Sequence, residues 1–558
     1  MIRNRIVMVL VALLAPLVSN LRAAETSNAV VPGELVCDPG SFTCLSFRWF
    51  VKGDANYNAT LTATFREAGQ EAWEDAFPFM RVKYSEIAKD DKKIRNWRKG
   101  MQNPNLLAGS IFHLQPGREY EVRLMLGDPD GGAAEKTVKV RTRALPALPS
   151  EMKVIEATPA DAVAKLKDLK AGDRLVLAPG TYPKLDFKAQ GREGLPVIVE
   201  GADRDRVIVE GGVAFSGPHI WVSKLTVRNA EIGIHAEDAP WAVVSHCHAT
   251  VKQYGVFAED SDGALVMDNA VTGPCTWPRT KGIESPHGIE TRGANVIVTH
   301  NRVTGFADGI SNNNYYECVN WEVSFNEVSE CTDDGIEVDF CAQNARIFNN
   351  RFTNTYQAVS VAPTLGGPVY LLRNEIFNTF TAYKMQRTPT GLVVFNNSSF
   401  SWRHAMYCPS AERWHRVTFK NNLFAGAGFK AMEVTPGTDG VDFDYIGWGS
   451  HDPKFPFAKW NQVNFESLAA MQKAGHQPHS IAFEPSMWAK VPVLEVVTDE
   501  RKAQHFEPSA YDYALNEGAA AIDKGLKVPN LLGPYSGEAP DLGAREHGAP
   551  APHFGPRP

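Results

Sequence analysis

Short apolar runs alternate with polar turn residues along the middle of the chain, at a spacing that repeats. Each unit ends on an asparagine, at Asn301, Asn326, Asn350, Asn374, Asn397 and Asn422. Their numbers differ by 25, 24, 24, 23 and 25. A second apolar position recurs between them, at Ile289, Ile310, Ile336, Val359, Tyr383 and Met406. A fixed period of this length is typical of repeat proteins, and each unit has room for short strands but not for a long helix.

These repeats predict an all-β fold, a right-handed parallel β-helix whose coils stack at about 4.8 Å. The apolar column from Ile289 to Met406 is expected inside the coil, in a solenoid that runs from about Gly172 to about Lys430. The asparagines are expected at turns, because Asn tolerates left-handed backbone geometry and can hydrogen-bond along a stacked ladder. Since strand side chains alternate, the residues beside the apolar column should point out of the sheet.

The chain begins with a basic segment, followed by an apolar run from Ile6 to Val18 and a small-residue end at Ala24. This pattern predicts a secretory signal peptide over residues 1–24, and so a secreted or periplasmic protein with no membrane span after cleavage. The alternative is an N-terminal membrane anchor, although the apolar run is short for a span.

A second pattern occupies residues 33–145, where strand-like alternation is interrupted by turn residues. Its Leu114, Pro116, Gly117, Tyr120 and Val122 resemble the L-x-P-G-x-x-Y-x-V signature of fibronectin type III domains. That resemblance implies a small β-sandwich.

The rest of the chain divides at a proline-marked linker over residues 144–150. The β-helix with the functional face is expected over residues 146–436. Residues 437–558, where the period is lost, are expected to form an irregular closing segment.

Composition excludes some classes of function. A formal net charge of -7 over 558 residues argues against nucleic acid as a partner. Eight cysteines in a chain of this length do not make a disulfide scaffold, and none has zinc-like pairing. Cys37 and Cys44 could close a small loop, and several of the others suit the buried positions of stacked turns.

Charged side chains concentrate on the outward positions of about five coils, between residues 287 and 407. The first outward column is Glu290, Ser311, Glu337, Ser360, Lys384, Tyr407 and Glu433; the second is Arg292, Asn313, Asp339 and Gln386; the turn before the sheet carries His287, Asp308, Asp333, Asp334, Gln357 and His404. Four carboxylates between Asp333 and Asp339 should repel and raise at least one pKa, as an acid catalyst requires. The same charges could also serve solubility alone.

Within residues 308–386 the chain resembles the polygalacturonase-like glycoside hydrolases, which carry N-T-D, D-D, G-H-G and R-I-K on successive coils. Asp308 corresponds to the Asp of N-T-D, although Ala307 replaces its Thr, and Asp333 and Asp334 correspond to the D-D pair. Lys384 stands in the column of the family's arginine and Gln386 in that of its lysine. Gln357 and Ala358 stand where G-H-G is expected, so the family's histidine is missing. The resemblance implies a carbohydrate-cleaving site.

Two mechanisms fit these groups. In hydrolysis, one carboxylic acid protonates the leaving oxygen and a carboxylate activates water or attacks the sugar. Asp334 is the expected acid, Asp308 or Asp333 the expected base, and no cofactor is required. The full set of candidate catalytic residues is Asp308, Asp333, Asp334, Glu337, Asp339 and Lys384. The candidate substrate-binding residues are His287, Glu290, Arg292, Asn313, Tyr316, Gln386 and Tyr407.

The alternative is β-elimination from a uronan by a polysaccharide lyase. An oxygen-only Ca²⁺ site could neutralise the substrate carboxylate, with Lys384 or Arg292 as base. Its expected ligands are Glu290, Asn313, Glu337 and Asp339. A uronate epimerase would use similar groups, and a non-catalytic glycan-binding β-helix is a third possibility. The expected partner is a polysaccharide or oligosaccharide, and the basic side chains favour an acidic one.

The segment Gly273–Pro286 makes one coil longer than its neighbours and should project as a loop. Loops on one side of a solenoid often build its binding face. Trp277 and Arg279 could wall one end of the cleft, with residues 312–316 on the next coil. A packed loop aromatic is the alternative for Trp277.

Overall fold

A computed structural model describes residues 27–83 and 105–558, apart from residues 283, 313–317, 411–412, 436, 438–439 and 450. The predicted signal peptide, Asn313 and Tyr316 lie outside the described residues. The chain divides into two compact units: the first runs to Leu145 and includes Val528–Leu531, and the second holds the other residues from Pro146 onward. No helix in the described ranges is long and apolar enough to cross a membrane.

The first unit consists, in its described part, of two four-stranded antiparallel sheets. The strands are β1 (Val30–Asp38), β2 (Leu45–Gly53), β3 (Thr60–Glu67), β4 (Glu74–Asp75), β5 (Met80–Val82), β6 (Leu106–Ile111), β7 (Glu119–Gly127) and β8 (Ala133–Arg141). Their orders are β1-β2-β6-β5 and β4-β3-β7-β8. Apolar residues from both sheets, such as Phe47 and Val122, share one core. The Tyr120 hydroxyl accepts a hydrogen bond from the Gln115 backbone N–H at 2.9 Å, as in the tyrosine corners of β-sandwiches.

The second unit is a right-handed parallel β-helix, which confirms the predicted fold class. Its strands are β9 (Lys153–Ala157), β10 (Asp173–Leu177), β11 (Gly180–Tyr182), β12 (Leu185–Lys188), β13 (Val197–Gly201), β14 (Val207–Glu210), β15 (Val213–Ser216), β16 (Ile220–Ser223), β17 (Thr226–Glu237), β18 (Val243–Ser245), β19 (His248–Glu259), β20 (Leu265–Met267), β21 (Ala270–Thr272), β22 (His287–Thr291), β23 (Ile297–Thr299), β24 (Arg302–Thr304), β25 (Asp308–Asn312), β26 (Glu322–Ser324), β27 (Glu327–Glu337), β28 (Ala345–Phe348), β29 (Arg351–Val361), β30 (Val369–Leu372), β31 (Glu375–Met385), β32 (Thr390–Phe395), β33 (Ser398–Ser401), β34 (Met406–Cys408), β35 (His415–Lys420), β36 (Leu423–Gly426), β37 (Met432–Val434), β38 (Val441–Phe443), β39 (Gly447–Gly449), β40 (Ala458–Trp460), β41 (Val463–Phe465), β42 (Ile481–Phe483), β43 (Trp488–Lys490) and β44 (Asp512–Leu515). Among its described residues, two short α-helices are α1 (Ala162–Leu166) and α2 (Leu468–Lys473). Single 3₁₀ turns occur at Pro485–Met487, Glu500–Lys502 and Pro508–Ala510.

Two long parallel sheets run the length of this unit. Among the described residues, one has 13 strands, from β9 to β38, and the other has 17, from β11 to β42. The 13-stranded sheet therefore begins before Gly172 and both sheets continue past Lys430, so the expected limits of the solenoid were too narrow. The regular spacing of the repeat is lost in the later coils, because α2 and two strands are inserted between β39 and its partner β42. A smaller sheet, β34-β37-β40-β41, forms a third side of the last coils.

The predicted inward column is confirmed by the strand register. Ile289, Ile310, Ile336, Val359 and Tyr383 are partners on successive strands, and each is buried, as is Met406. The neighbouring outward positions, Ser311, Glu337, Ser360 and Lys384, are likewise in register. Because a slip of one residue would exchange the two faces, this register fixes the outward side of the candidate site.

The predicted asparagine ladder is also present, and each of its members is fully buried. The Asn350 side-chain amide donates to Asn374 Oδ1 at 3.1 Å, and the same oxygen accepts from the Asn350 backbone N–H at 3.0 Å. The ladder begins one coil earlier than the sequence indicated, at Asn269. Left-handed backbone geometry occurs one residue before each ladder asparagine, not at the asparagine itself, for example at Asn349 with φ 51°.

The cysteines differ in one respect from the expectation. Cys37 and Cys44 are both free, so the suggested N-terminal bridge is wrong. A disulfide instead joins Cys318 and Cys341 on neighbouring coils. The remaining cysteines, Cys247, Cys275, Cys331 and Cys408, are buried among the coils as expected.

Candidate active site

Three aspartates meet on the outward face of the 17-stranded sheet. Asp308 opens β25, while Asp333 and Asp334 lie in β27, where the register shifts between Cys331 and Asp334. One carboxylate oxygen of each aspartate lies within 4.8 Å of the other two. The Asp334 backbone N–H donates to Asp308 Oδ1 at 3.2 Å, which ties the two strands together at this point. Carboxylates only accept hydrogen bonds, so such a group must bind protons or cations.

The three aspartates differ in their access to solvent. The Asp308 side chain is 15% exposed and the Asp334 side chain 2% exposed, while Asp333 is partly exposed. Burial and the neighbouring Asp333 carboxylate raise the pKa of Asp308 to about 7. Asp308 therefore retains its proton near neutral pH for much of the time and still faces the solvent side of the site.

Asp334 is paired with Lys384 on β31, two coils further along. The Lys384 Nζ donates to Asp334 Oδ2 at 2.8 Å. Burial alone would lower the pKa of Lys384, but the Asp334 and Asp333 carboxylates outweigh it and raise that pKa above its ordinary value. The lysine is thus held in its charged form beside the aspartates.

Glu337 lies on the outward column between Ser311 and Ser360, in the register expected for it. Burial and the nearby Asp339 carboxylate raise the pKa of Glu337 well above its ordinary value. Asp339 itself faces a turn: its Oδ1 accepts from Ser360 Oγ at 2.8 Å and from the Ala362 backbone N–H at 2.6 Å. Asp339 therefore holds the chain after β27, and its protein donors leave this oxygen unavailable to a substrate.

His287 borders the aspartates on the coil before Asp308. Its Nδ1 lies 3.3 Å from Ser311 Oγ, 3.6 Å from Glu290 Oε2 and 3.7 Å from Asp308 Oδ2. Burial lowers the pKa of His287, against the opposing effect of Glu290, so the ring is neutral at neutral pH. The family motif's histidine is missing from the Gln357 coil, and a histidine instead approaches the aspartates from the opposite side.

Glu290 and Arg292 neutralise each other. The Arg292 Nη2 lies 2.6 Å from Glu290 Oε1, and its Nη1 lies 2.7 Å from Glu259 Oε1. The guanidinium carbon is 4.7 Å from the centre of the Phe257 ring. Glu259 was not singled out from the sequence, because its coil precedes the loop insertion that interrupts the repeat. Because of these ion pairs, Glu290 is not free to bind a cation and Arg292 is not free to act as a base.

A small cleft of about 100 Å³ opens on the far side of Lys384. Lys384, Gln386 and Tyr407 line it, together with Gln357, Phe380, Thr381, Met385, Cys408, Pro409 and Ser410. Gln386 is exposed and Tyr407 partly exposed. The structure thus groups these three predicted residues on one side of the aspartates, while His287, Glu290 and Arg292 lie on the other side.

The predicted Ca²⁺ ligands do not form the converging group. Of the acids in the described ranges, those whose oxygens converge are Asp308, Asp333 and Asp334, whereas Glu290 and Asp339 already have protein donors. Oxygen ligands suit Ca²⁺. The Lys384 ammonium, however, already lies 2.8 Å from one of these carboxylates and would repel a second cation. The three aspartates therefore fit protons and Lys384 better than a metal ion.

Trp277 and Arg279 of the loop Gly273–Pro286 pack against the rest of the protein, whereas residues 280–282 are exposed. The Trp277 ring is 9% exposed, and its Nε1 donates to the Gln504 carbonyl at 2.8 Å. Arg279 donates to the Thr332 carbonyl at 3.0 Å and stacks on Tyr356. The packed alternative therefore holds for Trp277, which does not wall a cleft with an exposed face.

A family profile described as "Right handed beta helix region" matches residues 232–401. A sequence search of curated proteins gave no match. Similar solved structures include the PL6 family alginate lyase AlyGC, at 14% identity and TM-score 0.36, covering 64% of this chain and 59% of that chain. This chain thus spans less than two thirds of that lyase.

Another similar structure is the family 28 exopolygalacturonase of Yersinia enterocolitica, at 11% identity and TM-score 0.33, covering 81% of this chain and 99% of that chain. A third is the catalytic domain of a GH87 alpha-1,3-glucanase, at 9% identity and TM-score 0.32, covering 82% and 98%. These neighbours are polysaccharide-degrading enzymes with a β-helix fold. At these levels the likeness is one of fold.

Proposed function

We propose that this protein is a glycoside hydrolase that cleaves a glycan bound along the outward face of the 17-stranded sheet. The observation that carries this proposal is the meeting of three carboxylates, one of which has its pKa raised to about 7. Glycoside hydrolysis needs one carboxyl group that is protonated and a second that is ionised, in adjacent positions. Burial and Asp333 favour the protonated form of Asp308, while the Lys384 ammonium beside Asp334 favours the ionised form of that carboxyl group.

Asp308 is a better general acid than Asp334, the residue favoured by the sequence. Asp334 is almost fully buried, and Lys384 occupies its Oδ2. Burial raises the pKa of both carboxyl groups, but Asp308 is the more exposed of the two and can present its proton to the leaving oxygen. In this scheme Asp333 activates water or attacks the sugar, the Asp334–Lys384 pair fixes the local charge, and neutral His287 positions the Asp308 carboxyl.

The lyase and epimerase mechanisms fit the geometry less well. Both need a neutral basic side chain to abstract a proton from the sugar. Lys384 is held in its charged form by Asp334, and Arg292 is bound by two glutamates. Neither of these two expected bases is free near neutral pH, so a lyase or epimerase at this site would have to use the neutral His287 ring instead.

We further propose that the protein acts outside the cytoplasm. The N-terminal sequence has the order of a signal peptide, as described above. The Cys318–Cys341 disulfide supports the same proposal, because disulfides persist mainly in oxidising compartments. Soluble or cell-wall glycans would be accessible there.

The test is the Asp308→Asn variant, assayed on a panel of pectic, alginate, glycosaminoglycan and neutral glucan substrates. Asn is similar in size but cannot donate the carboxyl proton, so turnover should fall by roughly 10²–10⁴-fold with folding retained. Products should carry new reducing ends without the ultraviolet absorbance of an unsaturated uronate. The activity of the parent protein should also fall as the pH rises through about 7.

The matched control is Asp186→Asn on β12, an exposed aspartate far along the same sheet, which should keep full activity. Unsaturated products would show a lyase instead. An Asp308→Asn variant with normal turnover would remove Asp308 from the mechanism, and binding without turnover by the parent protein would indicate a non-catalytic glycan-binding β-helix.

A further inference from the structure

One arginine near the cleft has no acidic partner. The Arg403 guanidinium forms no ion pair or hydrogen bond to the residues that the structure describes, and its Nε is buried. Its central carbon lies 4.8 Å from the Phe429 ring centre, 5.5 Å from that of Phe380 and 5.8 Å from that of Tyr407. Three rings therefore hold the guanidinium in place while its hydrogen-bond donors remain unused.

Stacked aromatic side chains on neighbouring strands connect the aspartates to Arg403. Thr355 pairs with Thr379 and Gln357 with Thr381, so Tyr356 and Phe380 form one column, and Asp333 lies beside it at the register shift of β27. The Tyr356 and Phe380 rings are stacked, with centres 5.0 Å apart. The Arg403 guanidinium lies beyond Phe380, with its central carbon 5.5 Å from the centre of that ring. Three coil spacings separate Arg403 from Asp333, which corresponds to roughly 14 Å.

A second arginine on the same column shows what Arg403 lacks. Arg279 stacks on the Tyr356 ring at 3.6 Å, from the opposite end. Arg279 also lies 3.5 Å from Glu500 and donates to the Thr332 carbonyl, so its charge and donors are partly satisfied by the protein. Both arginines rest on aromatic rings, but only Arg279 has a carboxylate beside it.

The charged groups around Arg403 are already matched to one another. Glu433 lies 2.8 Å from Lys430 and 3.8 Å from His404 Nε2. Burial and the adjacent Arg403 guanidinium lower the pKa of His404 to about 4, so this ring is neutral at neutral pH. Arg403 is thus an uncompensated positive charge at the margin of the cleft that Phe380 and Tyr407 line.

We propose that Arg403 binds a carboxylate or sulfate group on a sugar residue of the bound glycan, beyond Lys384 from the catalytic aspartates. A planar guanidinium pairs with such anions through two parallel hydrogen bonds. The other cations first considered for this role are unsuitable, because Asp334 engages Lys384 and two glutamates engage Arg292. This inference rests on the proposed function for the identity of the ligand as a glycan, and it assigns the acidic specificity to Arg403.

The test measures binding, not turnover, so that it is independent of the mechanism. Calorimetric titration of the full-length Asp308→Asn protein would use three probes: a hexameric oligouronate, its carboxyl-reduced neutral counterpart, and a sulfated oligosaccharide. In this background Arg403→Met should weaken binding of the acidic probe by about 10- to 100-fold. Binding of the neutral counterpart should change less than twofold, because Met retains the contact with the rings. The two acidic probes separate a carboxylate from a sulfate as the recognised group.

Arg403→Lys is a second variant that keeps the positive charge but not the planar guanidinium. Its loss of affinity for the acidic probe should lie between those of the parent protein and Arg403→Met. The control is Arg228→Met, a half-exposed arginine paired with Glu210, which should bind all probes normally. Equal loss for acidic and neutral probes, or no loss for either acidic probe, overturns the inference. So does a parent protein that binds neither acidic probe more tightly than the neutral one. Arg403-dependent binding in a protein without hydrolytic activity would instead leave this inference standing and reject the proposed function.

Discussion

Two rows of polar side chains stack along the same solenoid. In one row hydrogen-bond donors face acceptors, whereas in the other the neighbouring groups are acceptors of like charge. In the asparagine ladder each amide donates to the next amide oxygen and to main-chain carbonyls, as Asn350 does to Asn374, Val323 and Phe348. On the outward face, the stacked groups are acceptors of like charge. Asp308, Asp333 and Asp334 converge, and the charged partner that the structure places against them is Lys384.

The difference shows how one repeat serves two purposes. An amide is both donor and acceptor, so identical neighbours satisfy each other in a buried row and stabilise it. A carboxylate is only an acceptor, so identical neighbours destabilise each other and raise their pKa values. The ladder therefore stabilises the fold. Among the aspartates, repulsion between carboxylates is retained, and it favours the protonated carboxyl group that acid catalysis requires.

The largest effect on stability is expected from Lys384→Met, which removes the cation that balances the aspartates. Asp334 would be left buried without a partner, and such a loss costs about 3–5 kcal/mol of the free energy of unfolding. The cost should be smaller at pH 5 than at pH 8, because the aspartates take up protons as the pH falls. Denaturant unfolding at both pH values measures it.

The control for this change is Lys420→Met. Lys420 is also buried and ion-paired, but its partner Asp442 is 63% exposed and can be solvated by water. Its loss should cost less, with little dependence on pH between 5 and 8. Equal, pH-independent losses in the two variants would show that Lys384 contributes packing and not charge balance.

A smaller loss is expected from Asn350→Ala in the ladder. The change leaves the Asn326 backbone N–H and side chain without their acceptor and removes three donated bonds, at a cost of about 3 kcal/mol. No pH dependence should accompany this loss, because no ladder group titrates. Asn464→Ala, at an exposed position of β41, should change stability by less than about 0.5 kcal/mol. A pH-dependent loss in Asn350→Ala would contradict the contrast drawn between the two rows.

The part of the fold predicted from the sequence was the part in which the period is regular. The column from Ile289 to Tyr383 and the ladder from Asn301 to Asn422 follow from spacings of 23 to 25 residues. The period fails where chain is inserted: the long loop before His287 hides Asn269, and α2 hides the coil that ends at β42. An inserted segment leaves the pairing of the stacked strands unchanged. It lengthens the interval between repeat positions in the sequence, so the repeat is not recognised there.

The candidate site was predicted as a set of outward residues, but not as a set of contacts. Register places Asp308, Asp333 and Asp334 on neighbouring strands of one sheet, whereas side-chain packing decides that Asp334 pairs with Lys384 and that Arg292 is bound by Glu259. The sequence did not indicate Arg403 as a site residue, because its coil has no acid beside it and its aromatic partners come from three separate segments. Such contacts depend on rotamers and burial, which the repeat does not encode.

The most direct test of the central claim is the number of protons that the carboxyl cluster binds near neutral pH. Potentiometric titration of the folded parent protein and of Asp308→Asn, from pH 5.5 to 8.5, compares the two curves. The raised pKa of Asp308, about 7 instead of 3.8, predicts that the parent protein releases on the order of one proton more than the variant over this range. Superimposable curves would mean that Asp308 is already ionised below pH 5.5, and would contradict its role as the proton donor.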